Sequence, residues 1–156
     1  MWDAGLRPSL SQARGPGVRT RKTGGARVSM DVLPPARILV ADAQAADRAP
    51  IVELFRAQGC TLEEAPDTAR AWALLQSHPF DLVILDARLP DANGLELLRQ
   101  MRRLDSLPVV VLVFDRPSPA LEKLAHSLGA AFCDRKPVDL ERLAKLVQRS
   151  RGEHSQ

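Results

Sequence analysis

The chain reads as a single α/β domain built on a doubly wound, five-stranded parallel sheet. Three observations predict this. From Arg37 to Gln148, short apolar runs alternate with longer stretches of helical period. The apolar runs are continuous rather than alternating, as in strands covered on both faces. Strand and helix follow one another five times, the order that places helices on both sides of a parallel sheet.

Taken in order, Ile38 to Ala41 is the first strand, and Ala46 to Gln58 is a helix with Ile51, Leu54 and Phe55 at helical spacing. Gly59 ends that helix. Thr61 to Glu63 forms a short second strand, and Thr68 to Gln76 a helix with Ala69, Trp72, Ala73 and Leu75 inward, closed by His78 and Pro79. Leu82 to Leu85 is the third strand; the turn signal Asn93-Gly94 then opens a helix from Leu95 to Leu104. Val109 to Phe114 is the fourth strand, Ala120 to Leu128 a helix stopped at Gly129, Ala130 to Cys133 the fifth strand and Leu140 to Gln148 the last helix.

Composition narrows the function classes. With 156 residues there is room for one domain with a real core. Aromatics make up only 4% of the chain and Tyr is absent, so the core is aliphatic and base-stacking surfaces are not expected. The net charge of +3 is uneven: residues 1–36 carry six Lys/Arg against two Asp/Glu, and the remainder 16 against 17. The domain itself is therefore near neutral, without a basic stripe, and is not expected to bind nucleic acid. Cys60 and Cys133 are too few and too far apart for a zinc pattern and are expected to be reduced and structural. No apolar run has the length of a membrane span, and the N-terminus lacks a signal-peptide pattern, so a cytoplasmic protein without membrane contact is expected.

Residues 1–36 read as a disordered, basic, Pro/Gly-rich extension, with Met30 a plausible true start; a solvated tail is favoured there over a basic interaction arm. The receiving unit of the chain's chemistry is then residues 37–148. Residues 149–156, RSRGEHSQ, read as a C-terminal tail too short for an output domain.

In doubly wound sheets, sites lie at the carboxyl ends of the strands. Those ends carry Asp42, Asp86, Phe114-Asp115 and Lys136. Each alone has an ordinary explanation, a helix cap for a lone Asp and an exposed loop for a lone Lys. Together, carboxylates and an ammonium on one rim could hold a divalent cation and a phosphoryl group.

The stretch DLVILDARLPDANGLELLRQMR, from Asp81 to Arg102, resembles the phosphoacceptor segment of response-regulator receiver domains, with Asp86, Leu89-Pro90 and Asn93-Gly94 at the family's spacing. RILVADAQAADR resembles the family's first strand and acidic loop, LPVVVLV its fourth strand, and GAAFCDRKP its fifth strand and Lys-Pro turn. The resemblance implies a flavodoxin-like (βα)5 fold over roughly Arg37 to Gln148. It implies a phosphoryl group accepted on Asp86 from a phosphohistidine of a sensor histidine kinase or histidine phosphotransfer protein, with Lys136 contacting that group. It also implies Mg²⁺ on Asp42, Asp86 and the backbone carbonyl of Arg88. Pro90 and Gly94 receive no chemical role.

Three positions depart from the family. Ala43 stands where a second acid is usual, which weakens Mg²⁺ binding; Asp47 is a possible substitute, expected to face solvent a turn into the helix. Val113 replaces a Ser or Thr whose hydroxyl would bond a phosphoryl oxygen. The switch aromatic falls on Cys133, with Phe132 one residue out of register and on the opposite face. The leading expectation is a stand-alone phosphorelay receiver signalling to an unknown downstream protein by contact. The alternative is a phosphorylation-independent docking module. An enzyme using Asp86 as nucleophile ranks last, because no Asp, Glu or His lies two residues beyond it and no lid interrupts the domain.

Overall fold

The computed structural model describes residues 35–154; the expected N-terminal extension and Met30 lie outside them. Among the described residues, five strands and five helices alternate. They are β1 (Arg37–Ala41), α1 (Ala45–Ala57), β2 (Thr61–Ala65), α2 (Thr68–Ser77), β3 (Leu82–Asp86), α3 (Gly94–Met101), β4 (Val109–Phe114), α4 (Pro119–Ser127), β5 (Phe132–Arg135) and α5 (Leu140–His154). The strands form one parallel sheet in the order β2-β1-β3-β4-β5. The chain runs outward from β1 to β2 and then crosses back to β3. The carboxyl ends of β1 and β3 therefore flank the crevice where the direction of winding reverses.

Period-two alternation sends the side chains of each strand to two cores. Ile38, Val40, Ile84, Val111 and Val113 pack with Ile51, Val52 and Phe55 of α1 and Leu143 and Val147 of α5. Leu39, Val83, Leu85, Leu112 and Phe114 pack with α2, α3 and α4 on the other side. All five residues of β3 are buried, Asp86 included. With aromatics scarce, density comes from branched aliphatic side chains on the pleated sheet, the residue types that fit such a surface.

Several boundaries differ from the sequence expectation. β2 runs to Ala65 rather than Glu63, held in register with β1 by pairing from Arg37–Thr61 to Ala41–Ala65. α2 presents Ala71, Leu74 and Leu75 inward, with Ala69 and Ala73 exposed; alanines weigh too little to orient a helix, and the Leu pair decides. α3 ends at Met101, after which Arg103 and Leu104 make i to i−3 turns. β5 starts at Phe132 rather than Ala130, because Gly129, at φ +113°, and the following alanines complete the turn out of α4. α5 continues to His154, through residues expected to be a tail.

Asp134, on β5 in register with Val113, is the least expected core residue. Its side chain is 2% exposed; Oδ1 accepts from the Arg135 N–H and lies 3.7 Å from the guanidinium of Arg142. Oδ2 is buried without a hydrogen-bond partner. A buried acceptor left unmatched costs about 1–3 kcal/mol. Asp134→Val is therefore expected to stabilise the domain by about that amount, read as a higher urea midpoint at unchanged slope; a lower midpoint would show that the Arg142 pair outweighs the orphaned oxygen.

Gly94 marks where the backbone comes closest to the site. A Cβ at this position would lie 2.3 Å from the Asp86 carbonyl oxygen and 3.0 Å from Ala87 Cα. Both are backbone atoms and neither can rotate away. Gly94→Ala is expected to cost about 1–3 kcal/mol, the usual range for overpacking, measured by chemical denaturation. Wild-type stability in that variant would mean that α3 can shift outward freely.

Candidate functional site

The site is built from the ends of three strands and the first turn of α1. Asp86 closes β3, Asp42 follows β1 directly, and Lys136 follows β5, its N–H donating to the Phe114 carbonyl. Lys136 Nζ lies 2.8 Å from Asp86 Oδ2 and 2.9 Å from Asp42 Oδ2. The second oxygen of each carboxylate is fixed by a backbone donor: Asp86 Oδ1 accepts from Arg88 N and Asp42 Oδ1 from Gln44 N, both at 2.9 Å. Three of the residues expected at the rim are thus brought together. Asp115 is not among them; it is exposed and outside this group.

Two further residues belong to the site. Asp47, expected to face solvent, instead reaches Lys136 Nζ at 3.1 Å with Oδ2 while its side chain stays 46% exposed. An acid therefore does stand beside Asp86, though it comes from α1 and not from two residues beyond the strand. Arg48, the next residue, donates to the Asp42 carbonyl and pairs with Glu64 on β2 at 2.9 Å. The sequence signal for both was their place in the first turn after Asp42, where a helix start turns side chains back over the strand end.

Of the positions expected to depart from the family, Ala43 follows Asp42, Val113 is on β4 and Cys133 is on β5. Ala43 adds no ligand oxygen beside Asp42. Val113 is in register with Asp86 on the neighbouring strand and is 3% exposed, so an apolar side chain walls the site on that flank. Cys133 packs towards the α2–α4 core and Phe132 towards the α1–α5 core, on opposite faces of β5. Cys133 Sγ lies 3.8 Å from His126 Nε2, and neither cysteine is in a disulfide.

The loop after β3 is fastened away from the site by Asp91. Its carboxylate accepts from Thr68 N, Thr68 Oγ1 and Ala69 N, capping α2 from outside. The Thr68 N–H bond is the main reason its carboxyl is pushed down to about 2. That contribution is present above the ordinary carboxylate range and is lost only as pH falls towards about 2.

Electrostatics set the character of the centre. Burial works against the Lys136 ammonium, but its bonds to Asp86, Asp42 and Asp47 outweigh it and raise the group above its ordinary value, so it is charged throughout the neutral range. For Asp86, burial is the largest influence and raises the carboxyl; the bonds from Lys136 and Arg88 N pull it back, and the charge of Asp42 adds to the rise. Asp42 and Asp86 offer the hard carboxylate oxygens that suit a Mg²⁺ ion keeping most of its water, and the Oδ2 atoms of both meet the Lys136 ammonium. Among the described residues, no group of three His, Cys, Asp or Glu side chains is arranged to hold a metal.

An acidic pocket with one lysine, at the switch point of a doubly wound parallel sheet, defines a class of signalling domain. Residues 38–148 match the profile of the response regulator receiver domain, and the chain belongs to that family. It is 28% identical over 114 residues to the TorCAD operon transcriptional regulatory protein TorR of Escherichia coli O157:H7, covering 73% of this chain and 49% of that one. It is also 28% identical over 125 residues to the transcriptional regulatory protein PdtaR of Mycobacterium tuberculosis, covering 80% of this chain and 60% of that one. The chain thus spans about half of the length of these relatives. Among solved structures, a CheY-like receiver domain protein from Methanospirillum hungatei JF-1 superposes with a TM-score of 0.74 at 24% identity, covering 78% of this chain and 98% of that one. The chemotaxis response regulator CheY4 of Vibrio cholerae gives 0.70 at 25% identity, covering 75% and 99%. Among the described residues, no helix is long and apolar enough to cross a membrane.

The raised Asp86 carboxyl has a consequence for stability. A group that holds its proton more tightly when folded favours the fold at low pH, so ionised Asp86 costs stability at neutral pH. Asp86→Asn is expected to melt a few degrees higher than the unmutated protein at pH 7. The gap should close as pH falls far enough to protonate Asp86. A variant that melts lower at pH 7 would show that the bond to Lys136 outweighs burial.

Proposed function

We propose that this chain is a cytoplasmic receiver of a two-component phosphorelay, accepting a phosphoryl group on Asp86 from a phosphohistidine donor and signalling by protein contact. The observation that carries the reading is the 2.8 Å contact between Asp86 Oδ2 and Lys136 Nζ at the strand ends of a receiver-family chain. An Asp86 oxygen attacks phosphorus, the bond from phosphorus to the donor imidazole nitrogen breaks, and an acyl phosphate remains. A carboxylate is a weak nucleophile, so the protein's part is placement and charge neutralisation. Asp86 is held by Arg88 N from one side, and the Lys136 ammonium is positioned to accept the charge of the phosphoryl oxygens. Asp42, Asp86 and the carbonyl of Arg88 would hold Mg²⁺, which when bound offsets further negative charge on those oxygens. Partners of this reading are a sensor histidine kinase or histidine phosphotransfer protein and a downstream protein.

Incubation with acetyl phosphate and Mg²⁺, followed by intact mass, tests it. The expected result is one added phosphoryl group, none in Asp86→Asn, and a rate lowered by about a hundredfold or more in Lys136→Ala, as for loss of one charge-stabilising donor. No adduct on the unmutated protein would end the reading.

Buried Val113 favours a second reading, a docking module that does not depend on phosphate. A phosphoryl group shifts a conformational equilibrium only through contacts that differ between states, and Val113 offers it no donor. Under this reading amide shifts on phosphorylation stay near Asp42, Asp86 and Lys136, and Val113→Thr extends them towards α4 and α5.

A further inference from the structure

An ammonium has three N–H donors, and the Lys136 Nζ has three carboxylate oxygens around it: Asp86 Oδ2 at 2.8 Å, Asp42 Oδ2 at 2.9 Å and Asp47 Oδ2 at 3.1 Å. Its donors are all engaged. For Lys136 to grip an oxygen of a phosphoryl group on Asp86, one of these acceptors must let go. Asp42 and Asp86 are poor candidates: their side chains are 9% and 7% exposed, and each has its other oxygen fixed by a backbone N–H. Asp47 differs in each respect that matters. It makes the longest of the three contacts, it is 46% exposed, and it comes from the first turn of α1 and not from a strand end. Swinging outward returns its carboxylate to water, and the helix N-terminus still favours a negative charge there.

We propose that Asp47 is a displaceable occupant of the Lys136 ammonium: it holds the place that a phosphoryl oxygen must take and thereby sets how readily Asp86 accepts the group. This rests on the phosphoacceptor reading of Asp86. Two effects act in the same direction. The outgoing contact must be broken, and the Asp47 charge repels an anionic donor for as long as it remains nearby. Asp47 is in this sense a positioning residue acting through Lys136. It makes the receiver slow towards small phosphodonors, and a protein partner that draws Asp47 aside removes the obstacle.

The test measures the rate of phosphoryl uptake from acetyl phosphate, by intact mass, and the midpoint of a beryllofluoride titration, by amide shifts of Ala87 and Lys136. Unmutated protein is compared with Asp47→Asn, Asp47→Ala and Asp47→Glu. Asp47→Asn and Asp47→Ala are expected to gain about two- to fivefold in both measurements, the range set by loss of an exposed ion pair. Asp47→Glu should restore the unmutated behaviour. The gain should shrink at about 1 M salt, where exposed charges are screened; a merely structural effect would not respond to salt in this way. If the unmutated protein takes up the group and the neutral variants are no faster, or are slower, Asp47 is not a competitor and this proposal falls alone. If neither the unmutated protein nor any variant takes up the group while folded, the phosphoacceptor reading falls and this one with it.

Discussion

The Lys136 ammonium lies within 3.1 Å of carboxylate oxygens from Asp42, Asp86 and Asp47, and the four side chains arrive from three separate parts of the chain. Asp86 is 50 residues from Lys136 and Asp47 is 89. Three negative charges on one rim repel one another, and the lysine is what lets the ends of β1 and β3 and the start of α1 lie side by side. The parallel register makes this possible: Ala41 sits opposite Leu85 and Asp86 opposite Val113, so the chain leaves β1 and β3 at nearly the same level. Lys136, hydrogen-bonded through its backbone to Phe114, leaves the sheet beside them.

The rest of the site holds that arrangement still. Arg88 N and Gln44 N fix the free oxygens of the two buried acids. Gly94 lets α3 start against the Asp86 carbonyl, and Asp91 ties the same loop to the N-terminus of α2. These are short, local bonds around a centre whose charges do not balance. A fold organised for stability alone would not bury Asp86. Retaining a costly carboxylate in a rigid frame is the usual mark of a site that trades stability for chemistry.

Much of the fold was legible because the strands are continuous apolar runs and the breaks are Gly, Pro and Asn. Asp42, Asp86 and Lys136 were legible because sheet geometry says where strand ends meet. What escaped was set by forces that a linear pattern does not show. The inward face of α2 was set by Leu74 and Leu75, and its several alanines gave no sign of direction. The start of β5 depended on the conformation of Gly129, and its second half, Asp134 and Arg135, carries no apolar signal. Asp47 was assigned to solvent because it lies a turn into the helix. Its place after Asp42 put it near the strand end, but the contact with Lys136, 89 residues away, is a tertiary one.

The register of β3, β4 and β5 also places Asp86, Val113 and Asp134 in one row across the sheet. Two buried carboxylates thus stand two strands apart, about 10 Å from the 4.7–4.9 Å strand spacing, with an aliphatic insulator between them. A hydroxyl at the middle position could pass a change at Asp86 along as a rearranged hydrogen bond. Valine has no donor or acceptor with which to do so. The far end is Asp134, whose counter-charge is Arg142 on α5. The row that begins at the site thus ends against α5, through a residue that never touches the site itself.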